Sequence, residues 1–209
     1  MDILYQDDAL IVCIKPRGVL SQEASGQANM VSLLRECANS EIFPVHRLDR
    51  EVTGVMVYAK TKAAAAALSA QIAAHTFQKI YLARVHGVPE PPKGTWEDLL
   101  FKDSAKNKVF VVRRERKGVK RAVLSYEVLA VDAQGNALVK IALQTGRTHQ
   151  IRVQFASRKH SLLGDRKYGA RDAESFLHLQ SHSISFDHPA TGERMVFVFE
   201  DNRATETAG

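Results

Sequence analysis

Two strand-like runs, RAVLSYEVLAV and NALVKIALQ, are joined through the turn AQGN, a connection too short to hold a crossover helix. Strands linked in this way pair antiparallel. The N-terminal stretch ILYQDDALIVCI repeats the arrangement, with two apolar runs around the polar turn QDD and an end at Lys15-Pro16-Arg17-Gly18. GVMVYAK, KIYLARVHG, SISFDH and MVFVFE add further β-rich runs. Helical signals are fewer. MVSLLRECANS reads as a short helix, and TKAAAAALSAQIAAHT is the clearest one, because alanine has the highest helix propensity and Leu68 and Ile72 stand four apart on one face. A further short helix is expected to begin at Thr148, with that residue as its cap. Strands outnumber helices without the regular alternation of a doubly wound sheet, which predicts an α+β fold with a mixed, largely antiparallel sheet and flanking helices. Residues 1–199 read as a single domain with a break between lobes at the proline-rich PEPPKG, and residues 200–209 as a flexible tail.

With 209 residues and 45% hydrophobic side chains, the chain can bury a conventional core. No stretch approaches the roughly 20 apolar residues that span a bilayer, and MDILYQDD opens with acids where a secretory leader carries basic and then apolar residues. A cytoplasmic protein is expected. Cys13 and Cys37 lie in strand-like and helix-like segments, and both are expected as buried free thiols, without a bridge. The net charge of +6 is unevenly spread: between Lys102 and Arg121 nine basic residues face two acids, and the rest of the chain is close to neutral. Such a block suits a polyanion such as nucleic acid, or an anionic membrane surface, and a solvated loop is the plainer alternative.

Several chemistries lack their usual residues. There is no G-x-x-x-x-G-K and no G-x-G-x-x-G, so no nucleotide cofactor is expected. His178 and His182 stand four apart, but no zincin pattern or paired cysteines accompany them, and no metal is expected. What remains is VHRLDREVTG, in which Asp49 sits among His46, Arg47 and Arg50. If those arginines touch it, the carboxylate stays ionised and serves as a nucleophile or fixed counter-charge, because a proton carrier needs a pKa near the working pH. The alternative is a surface ion pair contributing about 0–1 kcal/mol. In LQTGRTHQIRVQFA, the side chains of Arg147, His149, Gln150 and Arg152 cluster around the expected helix start, where backbone N–H groups favour an anion, and they offer donors to phosphates and base edges.

Together, HRLDREVTG and LQTGRTHQIRVQFA resemble the two defining motifs of the RluA-type pseudouridine synthases, which isomerise uridine in RNA. IVCIKPRGVL, FQKIYLARVHG, LLGDRKYG and FLHLQSHSISFDHP resemble other family segments in the same order, so the similarity runs from about Ile3 to Phe199. The resemblance implies a pseudouridine synthase fold with a central RNA-binding catalytic cleft, no cofactor, and a monomer acting on ribosomal or transfer RNA. It makes Asp49 the catalytic acid, sets Tyr81 against the target base and pairs Arg152 with the aspartate. Arg47 would fill the stack vacated by the target nucleotide, and His46, Lys79, Arg147, Thr148, His149 and Gln150 would complete the substrate site. Val52-Thr53 and Gln154 depart from the common family residues, and the accessory RNA-binding domain that many relatives carry before the K-P segment is not expected. A stacked uridine must be flipped out to react, at a cost of a few kcal/mol, which the basic block could offset by binding backbone phosphates. The rival readings are a non-catalytic RNA-binding or assembly protein on the same fold, and a metal-assisted phosphodiesterase.

Overall fold

The structure, a computed structural model, describes residues 2–199. In chain order the elements are β1 (Ile3–Gln6), β2 (Leu10–Lys15), α1 (Met30–Ala38), β3 (Phe43–Pro44), β4 (Thr53–Ala59), α2 (Lys62–Ala73) and β5 (Gln78–Val85). They continue with β6 (Lys93–Asp103), β7 (Lys108–Val112), β8 (Val119–Val131), β9 (Ala137–Leu143), α3 (Gln150–Ser157), β10 (Leu179–Asp187) and β11 (Arg194–Val198). The chain forms two compact units, residues 2–80 with 180–199, and residues 81–179. The boundaries fall inside β5 and at the start of β10, whereas PEPPKG lies within the second unit. The tail predicted over 200–209 lies outside the described residues.

In the first unit β2 runs antiparallel to both β1 (Tyr5 opposite Val12) and β4 (Val12 opposite Val57). β10 joins β4 in parallel, with Gln180 opposite Thr53, and pairs β11 antiparallel. The sheet is therefore mixed, as expected. Every residue of β2 and β4 is buried, which explains why both read as unbroken apolar runs and not as alternating ones. One face carries the core of Leu10, Val12, Val55, Val57, Ile184 and Phe186, onto which α2 lays Ala64 and Leu68. Thr61 caps α2 by accepting the Ala64 N–H at 3.1 Å, and Asn29 caps α1 through Ser32 at 2.9 Å. Gly54 is obligatory at the head of β4: its φ is +125° and an added Cβ would sit 2.2 Å from the Ser181 carbonyl oxygen. Close approach of β4 and β10 depends on that missing methyl.

The second unit holds antiparallel strands in the order β9-β8-β6-β7, with β8 paired to β6 and β7 on the far side of β6. α3 packs on it through Val153, against Leu100, Val109, Ala122 and Tyr168. Trp96 lies between Tyr126 and Phe155, with ring centroids 4.2 and 4.7 Å away. Much of the basic block is thus sheet, with β6 and β7 forming a hairpin that the charged sequence concealed. Cys13 is buried as expected, but Cys37 is exposed, because on α1 the residues turned inward are Met30, Val31 and Leu34. Both thiols are free. His178 and His182 share no helix; His182 is on β10, and His178 precedes it, bonded to Glu174 at 2.8 Å.

Candidate active site

Asp49 stands on a tight turn just before β4, closed by the Val52 N–H donating to the Asp49 carbonyl at 3.0 Å. That turn is stitched to the Lys15–Gly18 segment. The Gly18 N–H donates to the Arg50 carbonyl (2.9 Å), Arg50 Nε donates to the Gly18 carbonyl (3.0 Å), and Thr53 Oγ1 donates to the Lys15 carbonyl (2.8 Å). Ser21 adds a second stitch: its hydroxyl donates to the Leu48 carbonyl at 3.0 Å and accepts the Leu48 N–H at 3.3 Å. Beneath them lies Lys15, with none of its surface exposed, whose Nζ donates to the carbonyls of Pro16, Val19 and Arg50 at 2.8, 2.7 and 3.0 Å. Burial lowers its pKa to about 8, against the opposing charges of Glu51 and Asp49. K-P-x-G was legible only as a turn. Its lysine is the central tie of the aspartate loop.

The neighbours of Asp49 have diverged roles. Arg47 is exposed, Asp49 itself half-buried, and Arg50 is directed to Gly18 with a 3.8 Å approach to Glu51. His46 turns inward, its ring 5.5 Å from that of Phe77, and its Nε2 accepts the Val57 N–H at 3.2 Å. That bond requires a neutral imidazole with the proton on Nδ1. Burial, aided by the charge of Lys79, pushes the pKa of His46 down to about 3. Lys79 is buried on β5, and its own pKa is lowered by desolvation. Tyr81 follows two residues later, so both side chains leave the strand on the same side, and Tyr81 is buried as well.

In the second unit the G-R-T-H-Q-I-R segment folds as a turn into α3. Thr148 does not take the N-cap position expected of it, and the turn before the helix is tied by the helix's first residue: Gln150 Oε1 accepts the Arg147 N–H at 3.0 Å and the Thr145 hydroxyl at 2.7 Å, while its Nε2 donates to the Val123 carbonyl at 3.1 Å. His149, and not Thr148, holds the N-cap position, in a left-handed conformation (φ 50°, ψ 25°) with no side-chain cap bond. Its Nδ1 lies 2.8 Å from the Tyr168 hydroxyl, which accepts the Val109 N–H at 3.0 Å and so has its own proton to offer the imidazole. Arg147 is exposed and donates from Nε to the Arg121 carbonyl at 2.9 Å. Arg152 is buried and bidentate with Asp165, Nε to Oδ2 at 2.8 Å and Nη2 to Oδ1 at 2.7 Å, and its guanidinium lies 5.2 Å from the centre of the Tyr168 ring. This fork fixes the plane of the guanidinium. Sequence reasoning missed the roles of Asp165 and Tyr168; the only signal for them is that both lie in the family-like segment LLGDRKYG. Gly164 before them has φ +74°, and an added Cβ would meet the Phe176 carbonyl oxygen at 1.8 Å, so the loop that presents Asp165 also needs a glycine.

Arg113, Arg114, Arg116 and Lys117 stand exposed in the loop between β7 and β8, although Arg116 rests over the Phe101 ring at 4.4 Å. Arg121 is held by Glu97 in a bidentate pair at 2.5 and 2.6 Å. Among the described residues no group of three or more His, Cys, Asp or Glu is arranged to hold a metal ion, and no helix is long and apolar enough to cross a membrane.

The profile of the family described as RNA pseudouridylate synthase matches residues 9–157. The dual-specificity RNA pseudouridine synthase RluA of Escherichia coli K12 is 37% identical over 202 residues, covering 93% of this chain and 90% of RluA. An uncharacterized RNA pseudouridine synthase of Mycoplasma pneumoniae, a homolog of MG209, is 33% identical over 205 residues; the match covers 94% of this chain but 65% of that longer protein. Among solved structures, human RNA pseudouridylate synthase domain containing 4 superposes with a TM-score of 0.76 at 26% identity, covering 95% of this chain and 88% of that one. The profile, the identities and the shared α+β architecture agree, and the chain belongs to the RNA pseudouridylate synthases of the RluA type, enzymes of the isomerase class.

Proposed function

We propose that this enzyme converts specific uridines of ribosomal RNA, or of transfer RNA, to pseudouridine, with residues 1–199 working as one catalytic domain. The reaction breaks the N1–C1′ bond of uridine, turns the uracil and joins C5 to C1′, while a proton leaves C5 and N1 gains one. Atoms and electrons balance without a redox partner. Asp49 is the group that acts on the sugar, as nucleophile or by assisting proton removal. The observation that carries this reading is the construction of its turn: a half-buried carboxylate is presented on a loop stitched to a second loop by five hydrogen bonds and underpinned by a buried ammonium. So many polar groups gathered behind one turn suit a residue whose position matters more than its solvation.

The target nucleotide is flipped out of its stack, Tyr81 gives its base a flat face, and Arg47, exposed two residues before the acid, fills the gap. Arg152, whose guanidinium plane is set by Asp165, is the arginine assigned to the same reaction. Gln150, whose oxygen is engaged within the turn and whose nitrogen is held by the Val123 carbonyl on β8, shapes the segment from which Arg147 and His149 reach RNA. The relative RluA, called dual-specificity, supports a choice among more than one RNA. The test is to map pseudouridines in cellular RNA with and without the protein, and then to follow purified Asp49→Asn on the mapped RNA. Turnover is expected to fall at least roughly 100-fold with RNA affinity retained; an unchanged rate would remove Asp49 from the chemistry.

A further inference from the structure

β7 alternates between a covered and an open side. Val109 is buried with Leu100 and Ala122 against Val153 of α3, so Lys108 and Phe110 leave the strand on the other side. An outward position on a strand covered on one face is ordinarily polar, yet Phe110 places an aromatic ring there with 37% of its surface exposed. A lone exposed phenylalanine is common on protein surfaces; the surroundings of this one give it a use. Phe101 on β6 stands directly opposite, so the two rings share one side of the hairpin. The Arg116 guanidinium lies over the Phe101 ring at 4.4 Å, and the ammonium groups of Lys106 and Lys108 lie 5.9 and 6.0 Å from the centre of the Phe110 ring. Lys108 is shared with the ring of Tyr168, 5.2 Å away. An aromatic face is thus set among cations, in the stretch of the chain where nine basic residues face two acids.

We propose that Phe110 is a stacking platform for one unpaired base of the RNA substrate, a nucleotide other than the uridine that reacts, with Lys106, Lys108 and Arg116 binding the phosphates beside it. The role rests on the reading of this chain as an enzyme that acts on RNA. A ring among cations is the combination that holds single-stranded nucleic acid, because the ring takes the flat face of a base and the charges take the backbone. Bases inside a duplex are already stacked on one another, so the platform selects a loop, bulge or end. A reacting nucleotide is drawn into an enclosed pocket. The open side of a hairpin is no such pocket, and Phe110 therefore holds a neighbour of the target.

The full-length protein is titrated at several salt concentrations with two probes, a single-stranded oligoadenylate and an RNA duplex without unpaired nucleotides. Oligoadenylate contains no uridine, so its binding is read apart from the isomerisation. Phe110→Leu keeps an apolar strand residue but removes the flat face. It is expected to weaken oligoadenylate binding by roughly 5- to 150-fold, to leave the log–log salt slope unaltered because no charge is lost, and to bind duplex as wild type does. Phe110→Trp is expected to restore the affinity. The double variant Lys106→Gln, Lys108→Gln is expected to flatten the slope by roughly 0.7 for each phosphate released. An oligoadenylate affinity in Phe110→Leu within about twofold of wild type, an equal loss on duplex, or no recovery in Phe110→Trp overturns the proposal. So does a loss of binding to phosphatidylserine vesicles with none on RNA, which would give the ring to a membrane surface. Should Phe110→Leu not fold, ultraviolet cross-linking of oligoadenylate to wild type decides: a cross-link at Phe110 is expected, and one confined to other residues overturns the platform. If wild type converts no uridine but these affinities behave as expected, the platform stands and the assigned reaction falls. If conversion proceeds and Phe110→Leu binds like wild type, the platform falls alone.

Discussion

Protonation of His46 should be the first acid-labile point of the first unit. Its Nε2 must stay unprotonated to accept the Val57 N–H, and burial beside Lys79 sets its folded pKa to about 3, against 6.5 for an unperturbed histidine. Below pH 6.5 the unfolded chain binds a proton that the folded chain refuses. The stabilisation is therefore fully present above pH 6.5 and is lost progressively as pH falls toward 3. Between pH 7 and pH 5 the loss amounts to about 2 kcal/mol, which for a domain of this size lowers Tm by about 4–8 °C. His46→Gln supplies a control that can still offer a side-chain oxygen to Val57 but cannot titrate. Urea denaturation of both proteins at pH 7, 6 and 5 isolates the histidine, since every other group contributes to both curves. The stability difference between wild type and variant should shift by about 2 kcal/mol against wild type over that range. A difference that stays constant with pH would show that His46 is protonated in the folded protein, or that its bond to β4 is not the one described.

Asp165→Asn should be strongly destabilising, by about 3–5 kcal/mol, because it leaves the buried Arg152 guanidinium without its bidentate partner; thermal unfolding of the variant within about 1 kcal/mol of wild type would contradict the pairing. Replacing Arg113, Arg114 and Lys117 with alanine should weaken RNA binding and flatten its salt dependence, by roughly 0.7–0.9 in log–log slope for each phosphate that these side chains neutralise. Arg121→Ala, by contrast, should leave the slope nearly unchanged because that side chain is already held by Glu97, and affinity titrations at several salt concentrations distinguish the two outcomes.

Local patterns in the chain were enough for much of this protein. The antiparallel connection at AQGN, the alanine-rich α2, the mixed sheet and the family motifs around Asp49 and Arg152 are all legible in short windows, because hydrophobic runs, turn residues and motif spacing are properties of adjacent residues. Where local and tertiary demands differ, the windows mislead. β6 carries Lys93, Glu97, Asp98, Lys102 and Asp103 and β7 opens on Lys108, and because each strand buries only one residue completely, Leu100 and Val109, neither shows an unbroken apolar run. Thr148 has the chemistry of a cap, yet the oxygen that reaches the turn belongs to Gln150, whose side chain is also drawn in by the Val123 carbonyl on β8. Cys37 has the character of a core thiol, but the packing of α1 chose another face. Above all, nothing adjacent to Lys15 indicates that its ammonium serves Arg50, and nothing adjacent to Arg152 indicates Asp165. The identity of the reactive groups is written locally, but their orientation depends on hydrogen bonds closed across 13 to 35 residues, and only the folded chain brings those donors and acceptors within 3 Å.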